Sequence, residues 1–185
     1  MTGRFAACLV VGVACLSLTA QEPLKPTEVK KLAQGLGDAT IKGDYAKVID
    51  ATHDGIVKLM GGRDKAIKAT ETAMKGIADK GITITKFTVG DAGESFTEGA
   101  NTFVILPTAM EMKTPGGKIA KSYLLGISPD GGKTWKFADG AGLGNKDLRD
   151  RALPKLPEKL KLPDPQPPEV VKEYGRGEEK NDRIV

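Results

Sequence analysis

Cysteine and histidine are scarce in this chain. Of its 185 residues, two are cysteines, Cys8 and Cys15, and one is a histidine, His53. Both cysteines lie before Ala20, so a chain cut near that residue has neither a disulfide nor a thiolate nucleophile. A zinc site usually needs several cysteine or histidine ligands. We therefore expect no metal site and no cofactor.

The chain also lacks a concentrated charge of either sign. Its formal net charge is +4, and 27 basic residues stand against 24 acidic ones once Arg4 is set aside. Lysines and glutamates are interleaved, and no basic block carries aromatic residues. Because nucleic-acid binding needs a basic stripe, it is not expected here. The hydrophobic content of 39% and the charged content of 28% are ordinary for one globular domain.

The longest apolar run is short and lies at the start of the chain. It covers residues 5–18, follows Arg4 and precedes the small residue Ala20. A bilayer-spanning helix needs about 20 apolar residues. We therefore predict a secretory signal peptide at 1–20, an exported chain (periplasmic or extracellular) and no stable membrane span. A retained N-terminal anchor is one alternative, and lipid attachment at Cys15 is a less favoured one.

A β-hairpin is the strongest local signal in the sequence. Residues 119–128 alternate in two apolar sets, with Tyr123 and Leu125 on one side and Leu124 on the other. The sequence PDGG at 129–132 favours a chain reversal. A return strand follows at 133–138. The sequence thus predicts two antiparallel strands joined by a tight turn.

The turn of this hairpin resembles a known motif. Residues 128–135, SPDGGKTW, match the Asp-box S-x-D-x-G-x-T-W of sialidase-type propellers. A propeller carries such a motif several times at a fixed period, whereas this chain carries it once. We interpret it as a well-formed hairpin turn.

Helical patterns dominate the first half of the chain. Apolar stripes at helical spacing predict a first helix from Thr27 that ends at Gly43, and further helices at 44–52 and 63–80. The run at 55–60 is predicted to be a short strand. The helix at 63–80 has the strongest pattern, with 3-4-3 spacing of Ile67, Thr70, Met74 and Ile77.

Strands and then a proline-rich tail make up the rest. Residues 82–89 alternate with a slip near Lys86, which indicates a β-bulge. In the long strand predicted at 101–113, Pro107 indicates an edge or a bulge. Six of the eleven prolines lie between 154 and 168. We predict a partly extended, partly disordered tail at 151–185, held at its start by Leu156, Leu160 and Leu162.

The order of these elements resembles the nuclear transport factor 2-like superfamily, which includes SnoaL-like cyclases and ketosteroid isomerases. The resemblance covers about residues 27–140 and is carried by GDYAKVIDATHDGIVKLMGG at 43–62 and SYLLGISPDGGKTWKFADG at 122–140. It implies an α+β fold, in which N-terminal helices pack on a strongly curved, mainly antiparallel sheet shaped as a cone. It also implies a pocket between the concave face and the helix at 63–80, in a domain at 24–150.

Within that pocket the resemblance suggests where ligands or catalysis would be found. His53, Phe103, Tyr123 and Trp135 are the candidate ligand-binding residues, for a small apolar or planar molecule; the alternative is that they are core. His53 is also a candidate general base with Asp50 or Asp54, since its ordinary pKa suits that role. The alternative for His53 is a structural residue at a helix end.

Three functions follow as expectations. The first is an exported module that binds a small molecule or another protein without catalysis. The second is a small pocket enzyme of the lyase, cyclase or isomerase type that uses His53. The third is a homodimer that pairs through the sheet. A fold of this kind carries no activity by itself, because activity depends on the site built on it.

Overall fold

A computed structural model describes residues 22–114, 118–164 and 166–170. The predicted signal peptide at 1–20 and the end of the tail at 171–185 lie outside the described residues. Helices pack on a strongly curled antiparallel sheet that forms a half-barrel. The α+β class expected from the sequence is confirmed at this level.

Four helices precede the sheet, and local capping residues set most of their ends. They are α1 (Pro26–Lys42), α2 (Tyr45–Ala51), α3 (Asp54–Leu59) and α4 (Arg63–Ala78). At the start of α1, the N–H of Lys25 donates to the Glu28 carboxylate at 2.8 Å. Gly43 closes α1 with a φ of 72°, which favours glycine. The Asp44 carboxylate then caps α2 by accepting from the N–H of Lys47.

The sequence prediction of a strand at 55–60 is wrong, because this stretch forms α3. A short apolar run fits a strand or a buried helix equally well, so periodicity cannot decide between them. Here the residues at the two ends of the stretch determine that it is a helix. The Nδ1 of His53 accepts from the N–H of Gly55 at the start of the helix, and Gly61 and Gly62 follow its end with φ values of 89° and 96°.

Six strands form the sheet of the described residues. They are β1 (Thr83–Val89), β2 (Ser95–Glu98), β3 (Asn101–Lys113), β4 (Lys118–Ser128), β5 (Lys136–Asp139) and β6 (Glu169–Val170). The long strands β3 and β4 pair along their length in the middle. β1 and β2 pair with the outer side of β3, and β5 and β6 pair with the outer side of β4. Two short helices, α5 (Gly140–Leu143) and α6 (Lys146–Ala152), follow β5.

Two irregularities of the sheet were indicated by the sequence. The predicted bulge near Lys86 is confirmed as a register shift between Ile84 and Lys86. The interpretation of Pro107 needs a correction, because β3 is an interior strand. Pro107 lies where the neighbouring chain leaves β1, and its carbonyl accepts from the N–H of Gly90 at 2.7 Å. Its missing N–H therefore points toward a loop, which removes no ladder bond to β4.

One face of the sheet, here called the α1 face, is covered by α1. Its core joins residues of α1 to residues of four strands: Val29, Ala33, Val89, Val104, Leu106, Leu124 and Phe137. A Cβ on Gly37 would lie 2.0 Å from the Phe87 ring, so glycine allows α1 its close approach to β1.

Helix α4 does not cover the sheet, and the expected placement of residues 63–80 is wrong. The helix itself forms as predicted, but it packs on α2 and α3. Ala66 is buried, while Ile67, Met74 and Ile77 of its apolar stripe remain partly exposed. Since α1 already occupies the face, α4 lies outside the first helical layer.

The opposite face, here called the tail face, is covered by the chain that follows β5. Its buried residues from the strands are Phe103, Tyr123, Leu125, Ile127 and Ala138, and those from the covering chain are Leu143, Ala152, Leu153 and Leu160. Leu156 and Leu162 pack against this core, as the sequence predicts. Helix α6 spans residue 150. Leu153 and Leu160 follow α6 in the chain and are buried in the tail-face core.

Candidate functional site

The Asp-box residues build a rigid turn. The Asp130 carboxylate accepts from the N–H groups of Lys133 and Thr134 at 3.1 and 2.9 Å. It also accepts from the hydroxyls of Ser128 and Thr134 at 2.8 and 2.7 Å. These donors lower the pKa of Asp130 to about 2. The Asp130 carboxylate thus accepts its hydrogen bonds from residues of the turn itself, as expected of a hairpin motif.

Trp135 belongs to the same turn and faces the α1 side. Its Nε1 donates to the carbonyl of Gly132 at 2.9 Å. A Cβ on Gly126 would lie 3.2 Å from the indole ring, so the ring packs over that glycine. Trp135 therefore packs against the core of the α1 face.

His53 contacts three elements, which are β5, α3 and the end of α6. Its backbone N–H donates to the carbonyl of Phe137 at 2.8 Å, and its Nδ1 caps α3. Burial lowers the pKa of the imidazole, while the Asp54 carboxylate and the carbonyl of Ala152 act in the opposite direction. A Cβ on Gly55 would lie 1.8 Å from that carbonyl, so α3 and the end of α6 are in close contact. His53 starts α3; it does not bond the last carbonyls of α2.

The two carboxylates expected beside His53 have other partners. Asp50 receives two hydrogen bonds from Arg63, at 2.6 and 2.9 Å, and these lower the pKa of Asp50. The Asp54 carboxylate lies 3.8 Å from the Nζ of Lys136, which also donates to the carbonyl of Asp50. Within the described part of the chain, no hydrogen bond joins either carboxylate to the imidazole.

The four candidate ligand-binding residues are not brought together. Phe103 is fully buried in the tail-face core, and Tyr123 is 6% exposed on the same face. Trp135 lies on the other face, and His53 lies at the start of α3. Tyr123 lines a cavity of the described residues that is large enough for a small molecule.

That cavity, here called the tail-face groove, has a volume of about 500 Å³. Its floor is the sheet, where Ile105, Pro107, Ala109 and Tyr123 present mostly apolar surface. Pro163 belongs to the covering chain and forms part of the opposite wall. At Pro107 and Ala109 the side chains are compact, so they leave space that larger side chains would fill.

A few polar groups surround the apolar floor of the groove. Lys121, Ser122, Asp164 and Gln166 line its sides. The Nζ of Lys121 pairs with the carboxylate of Glu169 at 2.7 Å, and both side chains are about half exposed. An exposed pair of this kind contributes little stability, so Lys121 can exchange partners.

Sequence reasoning missed most of the floor. Ile105, Pro107 and Ala109 occur at every second position of β3, so a strand pattern places them on one face. That alternation was available in the sequence. The contribution of Pro163 was not, because no period connects it to the sheet.

A larger cavity of about 690 Å³ lies beside α6, where Arg149, Lys155, Leu153 and Leu160 line it. Its cations already have partners. Arg149 donates to the carbonyl of Leu143 at 3.2 Å, and Lys155 lies 3.4 Å from the Glu98 carboxylate. Because Arg149, Asp150 and Lys155 give this cavity a charged lining, it suits a small apolar molecule less well than the tail-face groove does.

The part of the chain that the structure describes has neither a cluster of metal ligands nor a helix that could span a membrane. In 22–114, 118–164 and 166–170, no three His, Cys, Asp or Glu residues come together as metal ligands would. Across that same part of the chain, every helix is too short or too polar to span a bilayer.

Comparisons of the chain with models of protein families, with curated proteins and with solved structures find no match. The superfamily therefore rests on the sequence resemblance and stays a prediction.

Proposed function

We propose that this chain is an exported binding domain that takes a small apolar or planar molecule in the tail-face groove. The observation that carries the proposal is the groove itself, with about 500 Å³ of space over Ile105, Pro107, Ala109 and Tyr123. Small-molecule sites are typically concave and mostly apolar, with volumes of about 300–1,000 Å³ and a few convergent polar groups. The groove has these properties.

Membership in the nuclear transport factor 2-like superfamily is part of the same proposal. The arrangement of α1 on a curled antiparallel sheet supports it. The position of the groove differs from what the superfamily implies, because the groove lies on the tail face and α4 takes no part in it.

The alternative of a pocket enzyme gains no support from the geometry. His53 uses Nδ1 to cap α3, and Asp50 is bound to Arg63. The described cavities of about 500 and 690 Å³ have neither residue in their lining. We therefore assign binding rather than catalysis to this domain.

The test introduces a large side chain on the floor of the groove. Ala109 and Ala120 are both partly buried alanines of the interior strands, but they lie on opposite faces. We expect Ala109→Phe to weaken binding of the planar probe N-phenyl-1-naphthylamine at least tenfold in a fluorescence titration. Ala120→Phe is the matched control and should leave the affinity within about twofold of the wild type.

Two results would overturn this function. One is a wild-type chain that does not bind the probe at all. The other is equal binding by the two variants, which would place the probe outside the groove. Thermal melting of both variants checks that each is folded.

A further inference from the structure

The cavity beside α6 combines apolar walls with charged groups. Its volume of about 690 Å³ lies within the range of small-molecule sites, about 300–1,000 Å³. Among the described residues, none lines both this cavity and the tail-face groove, so the two are separate. Four leucines that belong to the tail-face core or pack against it also line the cavity: Leu153, Leu156, Leu160 and Leu162.

The charged residues that line this cavity are Arg149, Asp150 and Lys155. Two of them have an oppositely charged partner outside the lining. The Asp150 carboxylate lies 2.6 Å from the Nζ of Lys146, and the Nζ of Lys155 lies 3.4 Å from the Glu98 carboxylate. Once these two pairs are set aside, the positive charge of Arg149 remains.

The guanidinium of Arg149 is held in place mainly by a neutral group. Its Nη1 donates to the carbonyl of Leu143 at 3.2 Å. The Asp150 carboxylate, which already accepts from Lys146, lies 3.9 Å from Nε and is too distant for a hydrogen bond. A guanidinium has five N–H groups, and the Leu143 carbonyl accepts from one of them. The Arg149 side chain is 26% exposed, and an ion pair is stronger where water is partly excluded.

We propose that this cavity binds a medium-chain fatty acid, whose carboxylate pairs with Arg149 and whose alkyl chain lies against the four leucines. This site goes beyond the proposed function, because it is a second cavity with a second class of ligand. Two parallel N–H groups of a guanidinium can donate to the two oxygens of one carboxylate. Each methylene of the alkyl chain that leaves water adds to the affinity.

The lining argues against two simpler ligands. An uncharged apolar molecule would cover the leucines but would provide no acceptor for the guanidinium of Arg149. A small inorganic anion would pair with the guanidinium but would leave the leucines facing water. A molecule with an anionic head and an apolar chain satisfies both parts of the lining.

The first test titrates decanoate into two arginine variants by isothermal calorimetry. Arg149→Gln removes the guanidinium at the cavity. Arg151→Gln is the matched control, because Arg151 is an exposed residue of the same helix that does not line the cavity. We expect Arg149→Gln to weaken decanoate binding about tenfold or more. Arg151→Gln changes the net charge equally and should leave the affinity within about twofold of the wild type.

A second measurement uses the wild-type chain, so it does not depend on the folding of a variant. Decanol has the same number of carbon atoms as decanoate but no charge. The wild type should bind decanoate roughly tenfold more tightly than decanol, and Arg149→Gln should lose that preference. Ala109→Phe, which fills the tail-face groove, should leave decanoate binding within about twofold, because the two cavities have separate linings.

Three results would overturn the fatty-acid site. They are no binding of decanoate by the wild type, equal affinities for decanoate and decanol, and equal effects of the two arginine substitutions. Decanoate binding that depends on Ala109 but not on Arg149 would also overturn it, since the fatty acid would then lie in the tail-face groove. In each case, binding of N-phenyl-1-naphthylamine that still depends on Ala109 would leave the proposed function in place.

Discussion

The two faces of the sheet are covered by chain of different kinds. On the α1 face, one long amphipathic helix lies across the strands and brings Val29 and Ala33 into the core. On the tail face, two short helices and an irregular segment with several prolines provide the cover. A helix places side chains at regular intervals and can fill a face. Irregular chain touches the sheet at separate leucines, and the tail-face groove lies beside them.

The close approaches on the α1 face show how complete its packing is. Gly37 receives the Phe87 ring, and Gly126 receives the Trp135 ring. Among the described residues, a cavity on this face beside Trp135 has a volume of only about 30 Å³. We therefore expect truncation of a large side chain to cost more on the α1 face than on the tail face, and the predictions below measure that difference.

Phe137→Ala should have the largest effect. Phe137 is 2% exposed in the core of the α1 face, where surrounding groups have little freedom to close a cavity. Truncation of a buried phenylalanine costs about 3–5 kcal/mol of unfolding free energy. Urea denaturation measures it. A loss below about 1 kcal/mol would contradict dense packing on this face.

Leu160→Ala should cost less. Leu160 is 7% exposed in the tail-face core and also lines the cavity beside α6. Because the irregular chain around it can relax, we expect about 2 kcal/mol, the lower end for leucine. The same denaturation experiment applies. A cost equal to that of Phe137→Ala would remove the contrast between the faces, and no cost at all would detach this segment from the core.

Asp130→Asn should change how the free energy of unfolding depends on pH in the acid range. The folded-state pKa of Asp130 is about 2, below its ordinary value of 3.8, so the native state favours the ionised carboxylate. Its stabilising contribution is present above pH 4 and is lost as pH falls from 4 toward 2. The wild type should therefore lose more stability than the variant over that interval in chemical denaturation. If the unfolding free energies of the two proteins change equally with pH, the Asp-box carboxylate does not stabilise the turn through its charge.

His53→Asn should have the smallest effect, confined to mildly acidic pH. Asparagine is also a good N-cap, so α3 keeps its start. Burial lowers the pKa of His53, so the unfolded chain takes up its proton first as pH falls below 6.5. The unfolding free energy of the wild type should therefore decrease as pH falls below 6.5, and that of the variant should not. An unchanged slope would mean that His53 is not held neutral by its surroundings.

Much of the sheet could be predicted because strand signals are local. Alternation over 119–128 assigned Tyr123 and Leu125 to one face and Leu124 to the other, as the two cores have them. The slip near Lys86 identified the bulge. The stretch at 55–60 was misread because its ends, rather than its apolar run, make it a helix.

The site was less predictable because it depends on contacts between distant parts of the chain. No period connects Pro163 to Ala109, and none shows that α4 packs on α2 and α3 while α1 packs on the sheet. Large aromatic side chains on strands suit a ligand pocket, yet here Phe103 is buried in the core and the Trp135 ring packs over Gly126. The groove has its space over the compact side chains of Pro107 and Ala109.

The most direct test of the central claim is an amide NMR titration of the wild-type chain with N-phenyl-1-naphthylamine. We expect the resonances of Ala109, Lys121 and Tyr123 to shift with one saturable curve, while those of Val29 and Ala33 in α1 stay in place. Shifts confined to the α1 face, or centred on His53, would contradict it.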